Sequence, residues 1–85
     1  VKAAEVKRLA ESASPEAIAD AIEAIAERDE DPSWVHGEDV SEKLTHLLLA
    51  QRILARVAAG ASVKDAFRAE LAGVRDVLTN EAPSS

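Results

Sequence analysis

The 85 residues contain no cysteine, so any chemistry has to come from oxygen and imidazole groups. Disulfide frameworks, Cys-ligated zinc, iron–sulfur clusters and thiol nucleophiles are excluded together. His36 and His46 are the only side chains that ordinarily titrate near neutrality. His36 stands in a polar stretch beside Gly37 and Glu38, the setting of an exposed imidazole without a task. His46 follows Glu42 by four residues, the spacing of an ion pair on a helix surface. Bundles that hold two metal ions use a Glu-x-x-His step of three with further carboxylates on other helices; the step here is four, and no metal is expected. Asp29-x-Asp31-x-Ser33 opens with the alternating oxygen ligands of a calcium-binding loop. The sixth position should then be Gly and is Trp34, and the twelfth should be Glu and is Val40, so the segment reads as a solvated acidic turn. With no glycine-rich phosphate loop and no Gly-x-Ser-x-Gly elbow, neither an enzyme nor a cofactor is expected.

Binding is the better prospect, and Trp34 leads it. It is the one Trp in a chain whose only other aromatic residue is Phe67, and it sits among acids in a polar loop. Two roles compete: a plug folded over the end of the core, or an interface anchor rimmed by Asp29, Glu30 and Asp31. Charge is segregated along the chain, whose net is −6. Residues 16 to 42 hold ten acids against Arg28 alone, whereas 43 to 78 hold six bases against three acids. A negative total disfavours non-specific nucleic-acid binding, which needs a basic footprint to release counterions. A protein with a basic surface, or a second copy of the chain, is the better match.

These residues must be positioned by helices. Val6, Leu9, Ala10 and Ala13 recur at i, i+3, i+4 and i+7, predicting a first helix over about 2 to 12. Pro15 ends it, and Ser14 caps a second helix over about 15 to 28, with Ile18, Ala21, Ile22 and Ile25 as its buried stripe. Residues 29 to 37 break all periodicity and form the long loop. From 39 to 59 the apolar positions Val40, Leu44, Leu47, Leu48, Leu49, Ile53, Leu54 and Val57 cover more than a third of a helix circumference. Such a face is too wide for one neighbour, so the third helix should be central, contacted by at least two other helices or by a second subunit; a homodimer interface is expected on it, with Leu48, Leu49 and Ile53 available for docking. Gly60 ends it, and Ser62 caps the last helix through a capping box with Asp65. Val63, Phe67, Leu71, Val74 and Leu78 make a seam for an antiparallel hairpin that Asn80 closes.

The expected fold is therefore all-α, a four-helix bundle in one domain over 1 to 80 with a flexible tail over 81 to 85. Apolar runs are too short for a membrane span, and charges within the first nine residues disfavour a signal peptide, so a cytoplasmic protein is expected. The leading Val implies either a removed initiator Met or a piece of a longer chain. Residues 55 to 67 resemble the first helix, turn and second-helix start of helix-turn-helix DNA-binding domains. That resemblance implies a DNA-associated regulator with Arg56, Lys64, Arg68 and Arg75 on phosphates. It stops short of a basic recognition helix, since Val74, Val77 and Leu78 follow Gly73. Trp34-Val35-His36-Gly37 is similar to the Trp-x-Gly turn of small secreted helical-hairpin proteins, with one residue too many. The expectation is an interaction module, such as an adaptor, accessory subunit or assembly factor, that offers its acidic segment to a basic partner.

Overall fold

The computed structural model describes the backbone of residues 2–81 and the side-chain surroundings of residues 2–72. Four helices follow one another: α1 (Ala3–Ser12), α2 (Pro15–Arg28), α3 (Val40–Ala58) and α4 (Val63–Glu81). No strand occurs among the described residues. Short polar devices set the boundaries. Ser14 Oγ accepts from the Ala17 N–H (3.1 Å) with Pro15 behind it, Asp39 Oδ1 from Glu42 (2.8 Å), and Ser62 Oγ from Asp65 (3.1 Å). Gly60 has φ 116°, a conformation that L side chains resist, and it turns the chain from α3 into α4. At the end of α2 the same left-handed role falls to Asp29, with φ 53°. Its N–H and that of Glu30 satisfy the carbonyls of Ile25 and Ala24. α4 runs one residue past Asn80. The side-chain positions of Val74 and Leu78 in the expected seam, and residues 82–85 of the expected tail, lie outside the described residues.

α3 is the hub, packed against each of the other three helices, while α1 also touches α4. The thinnest dimension, 20 Å, is about two stacked helices. Two apolar clusters result. In one, Leu9 of α1 meets Ile18, Ala21 and Ile25 of α2, Leu47 and Ala50 of α3, and Val35 of the loop. In the other, Val6 and Ala10 of α1 meet Leu49 and Ile53 of α3 and Ala66 of α4, with Phe67 and Leu71 at its margin. α1 thus serves both clusters from adjacent stripes of its surface.

This packing corrects the expectation of surplus apolar surface on the third helix. Three helices of the same chain surround it. Leu47 and Ile53 are fully buried and Leu49 is 7 % exposed, so Leu49 and Ile53 are core residues that no partner meeting this fold can touch. Leu48 alone of the Leu-rich run stays exposed, and a single exposed Leu is ordinary surface. The geometric reason for a dimer through this face therefore disappears.

Candidate interaction surface

The long loop has no periodicity of its own, so something else must hold it. That anchor is Glu5, on the core side of α1 with its side chain 5 % exposed. Its carboxylate accepts from Arg8 Nε (2.7 Å) and from the backbone N–H of His36 (2.8 Å), with His36 Nδ1 3.4 Å away. Arg8 spans both sides, since its Nη2 also donates to the Trp34 carbonyl at 2.7 Å. The Arg8 hydrogen bonds hold the Glu5 carboxyl below the usual carboxylate range, overcoming the opposite push of burial, and the His36 N–H adds to the effect.

His46 completes the clamp from α3, where it is fully buried and not on the helix surface that its spacing from Glu42 implied. The Lys2 N–H donates to Nε2 at 2.9 Å, so Nε2 must be unprotonated. Nδ1 then carries the hydrogen and donates to the His36 carbonyl at 2.9 Å. The imidazole is a neutral spacer that joins the start of α1 to the loop through backbone groups, and both of its nitrogens are engaged. Gly37 lets the loop run close to α3, because a Cβ there would lie 3.0 Å from Lys43 Cγ and 3.1 Å from the Lys43 nitrogen. Glu42 accepts from the Glu38 N–H at 2.8 Å, which holds its carboxyl below the usual range.

So secured, the loop buries Val35 and leaves Trp34 at the surface, 39 % exposed. Trp34 borders a shallow depression with Arg8, Ser12 and Ala13 of α1 and Ser14 and Ala17 at the start of α2. It is neither a buried plug nor free of the fold. The loop acids are less available than their number implies. Glu30 pairs with Arg28 and Asp31 with Lys43, leaving Asp29 at the turn.

The larger free negative surface lies on α2. Glu16, Asp20, Glu23 and Glu27 follow at steps of four, three and four on the face opposite Ile18, Ala21 and Ile25, and all four are exposed. Among the described residues no base pairs with any of them. Ala19 and Ala26, also exposed, flank the row. The helical period alone sets Asp20, Glu23 and Glu27 opposite the Ile stripe of α2, but the docking expectation rests on Asp29, Glu30 and Asp31 and does not single out this row. The signal that could have done so is the absence of any Lys or Arg between Arg8 and Arg28.

A second buried carboxylate lies between α3 and α4. Glu70, its side chain 5 % exposed, accepts from Arg52 (2.8 Å) and Arg56 (2.5 Å). Arg56, placed on DNA phosphates by the helix-turn-helix resemblance, is thereby held within the fold, and the Arg75 side chain lies outside the described residues. No group of three or more His, Asp or Glu suited to a metal occurs among the described residues, and no helix among them is long and apolar enough to cross a membrane. No curated protein and no solved structure matches the chain. Residues 1–79 match the model of a family described as Family of unknown function (DUF6952), and the chain belongs to that family.

Proposed function

We propose that this member of the DUF6952 family is a small non-enzymatic helical interaction module whose docking face is the outer row of α2, taken by a protein partner with a basic surface. The observation that carries this reading is the row Glu16, Asp20, Glu23 and Glu27, four exposed carboxylates on one face that no base pairs with among the described residues. Acids crowded on one face repel one another, whereas a cationic partner relieves that repulsion and is steered toward them. Trp34, which borders a depression with Ser14 and Ala17, adds an exposed aromatic group at the N-terminal end of α2. Adaptor, accessory-subunit and assembly roles all share this mechanism. The DNA-associated alternative is weaker, because Arg56 is committed to Glu70, which leaves Lys64 and Arg68 as the unpaired cations of that set among the described residues.

A Lys-rich helical peptide is a suitable probe of the face. Replacing Glu16, Asp20, Glu23 and Glu27 by their amides is expected to slow its association about tenfold at low salt. The corresponding change at Asp29, Glu30 and Asp31 should do much less, since two of those acids already have internal partners. Stopped-flow rates that fall equally for both variants, or for neither, overturn the assignment to α2.

A further inference from the structure

We infer that a second copy of this chain is itself the occupant of a basic groove between α1 and α4, inserting its α2 row there; this rests on the reading of α2 as a docking face. A groove of about 480 Å³ lies between those helices, lined by Lys7 and Glu11 of α1 and by Val63, Lys64, Phe67 and Arg68 of α4. Lys7, Lys64 and Arg68 are exposed, and among the described residues no carboxylate pairs with them. Phe67 and Val63 form a half-buried apolar floor between the charges. The groove thus needs a ligand that is acidic, elongated and narrow.

The outer face of α2 has that chemistry. Glu16 and Asp20, and again Glu23 and Glu27, are i, i+4 pairs, the same spacing as Lys64 and Arg68, so both sides present charges about 6 Å apart. Ala19 and Ala26 beside the row are small enough to let Phe67 approach the helix backbone. No residue of α2 lines the groove, so a chain does not fill its own. The contact joins two different surfaces and is heterologous, giving a ring or an open chain of copies in place of a dimer through the Leu-rich helix.

Charge reversal on each side separately tests this. One variant carries K64E and R68E, the other E23K and E27K, all at exposed positions, with helical circular dichroism as the folding control. Sedimentation velocity of the wild type is expected to show association that weakens about tenfold or more between about 50 and 500 mM salt. K64E/R68E alone should be monomeric, because its groove and its acidic row now carry like charge; E23K/E27K alone, whose row keeps Glu16 and Asp20 beside two lysines, should associate at least about tenfold more weakly than the wild type, and an equimolar mixture of the two should associate again. A wild type that stays monomeric at every concentration and low salt, or a mixture that fails to associate, overturns self-docking. The Lys-rich peptide separates the two claims. Peptide binding lost in E23K/E27K but kept in K64E/R68E, together with a wild type that stays monomeric, leaves the α2 face standing while self-docking falls, and binding indifferent to E23K/E27K removes the face itself and the self-docking that depends on it.

Discussion

Glu5 and Glu70 are both carboxylates with side chains 5 % exposed, and both are met by arginines that reach in from solvent, yet they do different work. Glu70 joins two helices, α3 and α4, that are already pressed together by Ile53, Ala66 and their neighbours. Glu5 accepts a backbone N–H from a segment with no regular structure, and its Arg8 partner holds a second backbone group of that segment. A side-chain staple between packed helices reinforces what apolar burial has arranged. A side chain that satisfies loop backbone replaces hydrogen bonds the segment cannot make for itself. The long loop is therefore part of the fold because of α1, and Val35 reaches the core as a result.

Removing each carboxylate should separate the two roles. Glu5→Ala is expected to lower stability by about 1–3 kcal/mol in urea unfolding, since it leaves the part-buried His36 N–H unmet and takes the carboxylate away from Arg8. Hydrogen exchange at the His36 amide should accelerate with it. Glu70→Ala should lose less, about 1–2 kcal/mol, because Arg52 and Arg56 are well exposed and regain water. Exchange in the loop should stay unchanged. Equal losses, or loop exchange responding to Glu70→Ala, would erase the distinction. The smallest effect is the pH dependence. Glu5 has a lowered carboxyl pKa in the fold, so its contribution is present above the ordinary unfolded carboxylate value and is lost as pH falls through the folded one. Glu5→Gln should flatten that part of the acid unfolding curve.

Helix boundaries were readable because each is set by neighbours in sequence: Ser14 with Pro15, Gly60, and Ser62 three residues before Asp65. The breadth of the apolar face on α3 correctly required several neighbours, but periodicity does not count how many one chain supplies. Hence Leu49 and Ile53 were expected outside and lie inside. His46 was misread through its spacing from Glu42, although His46, Ala50 and Ile53 share the buried stripe at steps of four and three. Glu5 and Glu70 likewise stand at core positions, four residues before Leu9 and four after Ala66. A polar residue on an apolar stripe is the available clue. Its partners were not readable, because the His36 N–H meets Glu5 across 31 residues of chain. Of the candidate surface, Trp34 and the acidic segment were found by composition. Which acids remain free depends on where Arg28 and Lys43 come to rest.

The single indole has an optical consequence. Trp34 is tied to α1 through its own carbonyl and sits partly in water beside a guanidinium, so its emission wavelength follows the attachment of the loop. The molecule carries a native fluorophore at the junction between its first helix and its only long connection, and release of that junction can be watched without adding a dye.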